Sequence, residues 1–493
     1  MSDNSQSSYR QIMKATSIFG GVQMFNIIIT IVRSKFVAIW LGPAGMGIMG
    51  LLTSTLGLIS SITNFGLGTT AVRDISEANS SGNKERIAKT LSVFRTLVWG
   101  TGLLGMIVVI VLSPLLSLLT FGNYDYTVAF VILSVTLLIQ QQTSGQTALL
   151  QGMRQIKWMA KAGIYSSLAG LLTTLPLYYF YGEQGIVPAL VLTAMIVYGV
   201  QYYFSHKIKI QTKLVPVKEA IERGKPMMRL GFMLSLSGLA TILTSYVLRI
   251  FISRIGGVMD VGLYNAGFAI IGTYVGMIFT AMGADYYPRL SGVNQEKEKY
   301  NELINHQSET ALLILSPLIC GFLIFINFGV VLLYSQKFLP IVELIHFSIL
   351  GVYFQALSWS MGFLILAKGD SKSFFWNEFA TSIYTLLFNC LGYYFDGLRG
   401  LGISFLISYS LHFVQIYFFI KIKYGFAYNS TLPKILLLQI PLGLLCFAVY
   451  YFTDGWVTYF LGSLLILCSA MISLYRMNKT MNILELIKSK LKK

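Results

Sequence analysis

Residues 92–119 read SVFRTLVWGTGLLGMIVVIVLSPLLSLL. Beyond Arg95 the stretch carries no charge, and it exceeds the roughly 20 mostly apolar residues that a helix needs to cross about 30 Å of hydrocarbon. It predicts a membrane-spanning helix, and similar runs surround it. They fall near 17–41, 45–72, 127–150, 160–181, 186–205, 230–254, 263–288, 308–335, 340–367, 374–395, 401–420, 433–453 and 456–475. The expectation is an all-α polytopic membrane protein of about fourteen transmembrane helices. Composition agrees: of 493 residues, 55% are hydrophobic and only 12% charged, where soluble domains hold about one quarter. The mean hydropathy is +0.66. A soluble enzyme, a disordered scaffold and a secreted disulfide protein are excluded.

The formal net charge is +17, from 37 Lys and Arg against 20 Asp and Glu. A basic balance alone would also fit a nucleic-acid binder. With the N-terminus placed inside, however, nearly all the cations fall on inner loops and termini, and the outer loops keep only Lys337 and Arg399. That is the positive-inside pattern, which puts both termini in the cytoplasm and sets the charge against anionic lipid, with no nucleic acid. Cys320, Cys390, Cys446 and Cys468 lie in apolar runs without a CxxC or Cys/His cluster, so neither disulfides nor a metal site are expected. The polar tail up to Lys14 and the long apolar run after it argue against a cleaved signal peptide.

Outer loops such as Asn123–Tyr126, Gly182–Gly185 and Asp396–Gly400 are too short for an external catalytic domain. A membrane glycosyltransferase or ligase is therefore the weaker class, and the chain reads as a transporter without catalytic residues. The Gly45-x-Gly47-x-x-Gly50 match opens a membrane helix with no strand before it, so it is no dinucleotide site, and no Walker A motif is present.

Arg33 and Arg249 are separated by the same interval as Arg73 and Arg289, and glycine-rich turns link the first two spans of each half (Leu41–Gly50, Gly256–Gly262). The repeat predicts a lobe over 1–205, a basic linker over 206–229 and a second lobe over 230–421. Residues 422–493 add two spans and a basic amphipathic tail. Parallel repeats of this kind occur in secondary transporters, with substrate held between lobes near the midplane.

An Arg near the centre of a membrane helix costs roughly 2.5–3.5 kcal/mol, so it faces a bundle interior or water. Gln23, Asn26, Thr30 and Arg33 share one face of the first span; Ser237, Thr241, Ser245 and Arg249 share one face of the seventh. Two such stripes would line a cationic cavity, and the planar Arg fork suits a phosphate. Lys35 and Arg254, nearer the helix ends, fit either this cavity or the outer headgroups. Gln140 and Gln141 begin an amide cluster in the fourth span that fits sugar hydroxyls or interhelical hydrogen bonds equally. Tyr178, Tyr179 and Tyr181 fit interfacial belts. Candidates for ion coupling are Asp74, Asp285, Glu343 (three residues from His346) and Glu378.

Several stretches carry a family resemblance: Lys14-Ala15, Leu41-Gly-Pro-Ala-Gly-Met-Gly47, Gly122-Asn-Tyr-Asp-Tyr126, Tyr287-Pro-Arg-Leu-Ser291, Ser335-Gln-Lys-Phe338, Leu364-Ile-Leu-Ala-Lys368 and the surroundings of Glu378. As an ordered set over spans one to twelve, they resemble the Wzx-type O-antigen and polysaccharide repeat-unit flippases of the MOP exporter superfamily, and the chain is similar to the enterobacterial-common-antigen flippases. The resemblance implies a MATE-like fold, with two six-helix lobes around a central cavity of alternating access. It implies undecaprenyl-diphosphate-linked oligosaccharide as substrate, with membrane lipids and other polysaccharide assembly proteins (a polymerase, a chain-length regulator) as partners. No cofactor is implied, and H+ or Na+ is the ion to which transport would couple. The diphosphate would meet Arg33 and Arg249, helped by Lys35, Arg254, Arg73 and Arg289. The last two spans depart from the twelve of many Wzx-type proteins and match the fourteen of peptidoglycan lipid II flippases. A lipid II-type flippase and a MATE-like multidrug or cation antiporter are thus the alternatives, the latter wanting an anionic cavity.

Overall fold

The computed structural model describes residues 3–208, 210 and 215–481, without the side chains of 3–20, 23, 234, 237, 480 and 481. The basic tail expected over Ile483–Lys493 lies outside the described residues, as do 209 and 211–214 of the basic linker. Among the described residues there are helices and no strands. They are α1 (Asp3–Trp40), α2 (Gly42–Thr63), α3 (Leu67–Ser80), α4 (Lys84–Phe121), α5 (Thr127–Gly152), α6 (Ile156–Tyr181), α7 (Ile186–Ser205) and α8 (Val217–Ile255). Then follow α9 (Val258–Ile270), a π-helical turn (Ile271–Val275), α10 (Gly276–Gly292), α11 (Lys297–Leu333), α12 (Ile341–Ala367), α13 (Ser371–Tyr424), α14 (Thr431–Phe452) and α15 (Trp456–Met481). The expected spans lie on helices, with two differences: 45–72 crosses from α2 into α3 over a break at Asn64–Gly66, and 263–288 runs through α9, the π-helical turn and α10. The spans expected over 374–395 and 401–420 are the two helical arms of α13, separated by a turn where Asp396 and Gly397 leave helical geometry. The all-α polytopic architecture read from the runs is the one observed, and among the described residues eleven helical stretches are long and apolar enough to cross a membrane.

The helices form two compact units, Met1–Gly262 and Leu263–Lys493. α8, which the sequence repeat groups with 230–421, packs against α2, α3 and α4 within the first unit.

In the first unit, α4 shows how a membrane helix sorts its faces. Ile107, Val111, Leu115 and Leu119 recur every fourth residue and are exposed, which is a lipid-facing stripe. Gly102 faces α5 instead, and Gly105 faces α2 and α5. Cβ atoms there would lie 2.9 Å from Leu138 Cδ1 and from Thr63 Oγ1 respectively. Small residues let backbones approach where lipid gives no hydrophobic drive for association. Leu52, Leu56, Val109, Phe130 and Leu133 form one buried core; Ile75, Leu91, Phe94 and Leu97 form another, with Ala220 and Met227 of α8 in it.

Two backbone approaches fix this unit. The stretches expected as glycine-rich turns are largely helical, forming the starts of α2 and α9, and these starts meet each other: a Cβ on Gly47 would lie 1.9 Å from the Val258 carbonyl oxygen, and one on Gly262 would lie 1.8 Å from that of Pro43. Second, α2 gives way to α3 through Asn64–Gly66, where Phe65 (φ 49°) and Gly66 (φ 59°) are left-handed. The Asn64 side chain accepts from Gly66 N–H at 2.8 Å, and a Cβ on Gly66 would fall 2.2 Å from Gly231 O of α8.

In the second unit Leu312, Leu315, Ile319 and Leu323 of α11 pack on Ile349, Val352 and Tyr353 of α12. The final pair is tied by Gln439, fully buried, which accepts from Ser469 Oγ at 2.6 Å and donates to Ser473 Oγ at 3.1 Å. The Leu364–Lys368 stretch leads into a polar corner: Lys368 Nζ lies 4.6 Å from the centre of the Tyr300 ring. Asp370 N-caps α13, accepting from Ser373 N–H at 3.2 Å, pairs with Lys423, and accepts from Tyr424 Oη at 2.8 Å.

Lys423 first, then Tyr424 and Ser373, hold the Asp370 carboxyl well below the usual carboxylate range. A carboxyl whose pKa falls on folding contributes stability above its unfolded value, about 3.9 for Asp, and loses it as pH drops toward the folded value. Asn also caps helices, so Asp370→Asn isolates the charge. The difference in thermal stability between the protein and D370N is expected to hold steady from neutral pH to about 5 and to shrink below about 4. A difference that widens on acidification contradicts this account.

Candidate functional site

Within the first unit, α1, α2, α5, α6 and α7 surround a cavity of about 450 Å³. Arg33 of α1 and Gln140 of α5 line it together, which joins two expected site residues from separate spans. Both are exposed, and among the described residues Arg33 makes no hydrogen bond or ion pair to protein. Thr53, Thr143, Thr174, Thr193 and Tyr178 supply the remaining polar wall. No carboxylate lines the cavity among the described residues.

The threonines have a common chemistry. Thr53 donates to Met49 O at 2.7 Å, Thr143 to Ile139 O at 2.8 Å and Thr174 to Gly170 O at 2.8 Å. Each hydroxyl proton is thus committed one turn back, and each oxygen presents lone pairs to the cavity. Thr193 Oγ1 is buried without a partner among the described residues. The wall therefore combines one fixed cation, an amide that donates or accepts, and a set of acceptors for ligand hydroxyls.

Sequence reasoning missed the threonines and misassigned Tyr178. Tyr178 is 3% exposed, inside the cavity wall, whereas its neighbours Tyr179 and Tyr181 are each 63% exposed and fit the belt. A one-residue step rotates a side chain by about 100° around a helix, so adjacent tyrosines face opposite media. The available signal was the four-residue spacing of Thr174 and Tyr178, which recurs too widely to single them out.

The other expected site residues lie elsewhere. Arg249 is half-buried on α8 and donates to Ser245 O at 2.9 Å and to Ser245 Oγ one turn back on the same helix. Arg254 donates to Leu118 O and to Leu119 O, the latter at 3.1 Å, covering the last carbonyls of α4 beside left-handed Gly122. That is a helix C-terminal role, favoured by the dipole. Lys35 is half-buried on α1 outside the cavity lining. Arg73 pairs with Asp74 at 2.9 Å and Arg289 with Asp285 at 3.0 Å. Asn26 accepts from Ser167 of α6 at 2.7 Å, and Thr30 donates to Asn26 O at 2.8 Å. Thr241 is exposed; the side chains of Gln23 and Ser237 lie outside the described residues. The amide cluster divides: Gln140 lines the cavity, while Gln141 donates to Thr101 Oγ1 at 2.9 Å as an interhelical tie.

Of the acidic candidates, Glu343 is exposed at the start of α12 and Glu378 is half-buried on α13. His346 is fully buried, its Nε2 3.1 Å from Leu323 O. Glu378 stands beside a polar cluster that joins the two arms of α13. His412 Nδ1 lies 3.0 Å from Thr381 Oγ1, which also receives the Tyr384 hydroxyl at 3.2 Å, and Gln415 Nε2 donates to Asn377 Oδ1 at 2.9 Å. Thr381 already donates to Asn377 O at 2.8 Å, so His412 Nδ1 serves as donor to it. Among the described residues no three His, Cys, Asp or Glu side chains gather around a metal position.

Comparison with known proteins adds three findings. Residues 12–294 match the polysaccharide biosynthesis protein family. Lipid III flippases of Escherichia coli (strain K12) and Shigella flexneri are each 20% identical over 373 residues, covering 72% of this chain and 84% of theirs. Among solved structures, an inward-facing multidrug resistance MATE family transporter of the MOP superfamily matches with a TM-score of 0.68 at 15% identity, over 81% of this chain and 98% of that one. The lipid II flippase MurJ in an inward closed conformation matches at 0.66 and 13%, over 95% and 99%. Identities this low speak to fold, and the fold is the MATE-like one.

Proposed function

The chain belongs to the polysaccharide biosynthesis protein family, and we propose that it moves an undecaprenyl-diphosphate-linked oligosaccharide, an O-antigen or related repeat unit, from the cytoplasmic to the periplasmic leaflet. It is a multi-pass protein of the bacterial inner membrane, and membrane lipids surround its spans. The observation that carries the proposal is the Arg33 cavity: one cation for a diphosphate, with Gln140 and the threonine oxygens for sugar hydroxyls. A drug-cation antiporter would need the opposite charge there. The α14–α15 pair matches the span number of lipid II-type flippases, and sugar chemistry separates the two substrates. The chain breaks no bond in this scheme; it binds, reorients and releases, passing its cargo to polysaccharide assembly proteins such as a polymerase and a chain-length regulator.

The test is depletion of the protein, followed by assay of the leaflet in which the diphosphate-linked repeat unit collects. Accumulation on the cytoplasmic side is expected; unchanged export, or sugar transfer catalysed by the purified protein, refutes the assignment.

Coupling to H+ or Na+ would use Glu378, the ionisable residue beside the His412 cluster. Glu378→Gln in proteoliposomes is expected to leave substrate binding intact while removing the response of transport to an imposed proton or sodium gradient. A response that persists excludes Glu378.

A further inference from the structure

α8 carries a surface for which the cavity has no use. Its 39 residues make about 58 Å of helix against roughly 30 Å of hydrocarbon. The apolar run over 230–254 occupies its C-terminal part, so the turns from Val217 to Phe232 lead out of that run toward the end that carries the basic linker. Along them Lys218, Ile221, Lys225, Arg229 and Phe232 recur at spacings of three and four and share one face. All five are exposed. With Phe65 and Met228 they line an open cavity of about 660 Å³. Three cations thus stand along the middle of the face, and Phe65, Ile221, Met228 and Phe232 form an apolar flank. Glu222 is the one carboxylate in the lining. Glu219 is engaged with Arg223 at 3.0 Å.

The opposite face holds this surface rigid. Ala220 and Met227 are buried in the core with α3 and α4. A Cβ on Gly224 would lie 2.4 Å from Leu97 Cδ1, and Gly231 lies backbone-to-backbone against Gly66.

A row of cations beside an apolar wall recognises an anionic group joined to a hydrocarbon chain. We propose that this face is a loading site for the diphosphate of the lipid-linked substrate, separate from the Arg33 cavity; the assignment rests on the flippase function. Lys225 and Arg229, one turn apart, hold the phosphates, Lys218 adds charge at the linker end, and the flank takes the first isoprenoid units. A disubstituted diphosphate carries twice the charge of a phosphodiester headgroup, which matches three cations offset by one carboxylate better than a common anionic phospholipid does.

The test titrates the purified full-length protein in detergent with undecaprenyl diphosphate, which lacks the sugar, and separately with phosphatidylglycerol, and counts bound lipid by native mass spectrometry. The reference is R33Q, in which the inner cavity has lost its cation. Undecaprenyl diphosphate is expected to bind R33Q still, and adding K225Q and R229Q is expected to weaken that binding about thirtyfold. Phosphatidylglycerol binding should not change, and K225R with R229K should keep diphosphate binding, which guards against misfolding. Absence of any bound diphosphate on R33Q alone, no effect of the double Gln change, or equal loss of both lipids overturns the proposal. Failure of the flippase function reads out differently, as export that continues without the protein.

Discussion

An Arg33→Gln protein, present in the membrane at its normal level, will lose most export of lipid-linked oligosaccharide. Arg33 is the one charged side chain lining its cavity among the described residues. Gln keeps donors and most of the length, so the change tests charge. A charge-assisted hydrogen bond contributes about 2 kcal/mol, which corresponds to some thirtyfold in substrate affinity. Arg33→Lys should recover part of this, because a point charge attracts phosphate without the planar fork. Gln140→Ala should cost about 1 kcal/mol, a neutral hydrogen bond to sugar. The measurement is leaflet-resolved substrate accumulation beside protein level by immunoblot. Arg254→Gln makes the necessary contrast. That residue covers the terminal carbonyls of α4, so export and protein level should fall together there. Normal export in Arg33→Gln would remove Arg33 from the site.

Gly47→Ala is expected to have the largest effect on folding. Its new Cβ would sit 1.9 Å from the Val258 carbonyl oxygen, and the matching Gly262→Ala would sit 1.8 Å from that of Pro43. The obstructing atoms are backbone, which cannot swing aside like a side chain, so the starts of α2 and α9 must separate. Overpacking costs typically 1–3 kcal/mol even where side chains can yield, so a loss of about 3 kcal/mol or more is expected here. Size-exclusion profiles of a fluorescent fusion should show little monodisperse protein. Gly57→Ala is the control, since a Cβ there meets nothing within 4 Å. Equal yields from Gly47→Ala and Gly57→Ala would contradict the close approach.

Arg33 was legible as a site residue because a cation inside an apolar run is conspicuous in one dimension: solvation alone demands that it face something polar. The same logic flagged Arg249 and Arg254, and there the polar partners include Ser245 on the same helix and the carbonyl end of α4. Solvation demands a partner and does not say which. Tyr178 and the threonines were illegible because hydroxyl groups are tolerated in membrane helices at many positions, satisfied by carbonyls one turn back. Only the rotation of α6 put Tyr178 inward and Tyr179 outward. The Lys218–Phe232 face is a third kind of case. Its periodicity was readable, but it looked like linker until α8 proved continuous from Val217 to Ile255.

What can be read in one dimension here is whatever the membrane enforces on each segment separately. Hydrocarbon thickness sets the length of an apolar run and backbone desolvation makes that run a helix, so span positions and the all-α class follow without knowledge of any neighbour. Neighbours decide the rest. In lipid, helices associate through close packing and hydrogen bonds between particular faces, and apolarity is no guide to which face meets which. The meeting of Gly47 with Val258, the placement of α8 against α2, α3 and α4, and the convergence of Arg33, Gln140 and Tyr178 on one cavity therefore belong to the tertiary structure alone.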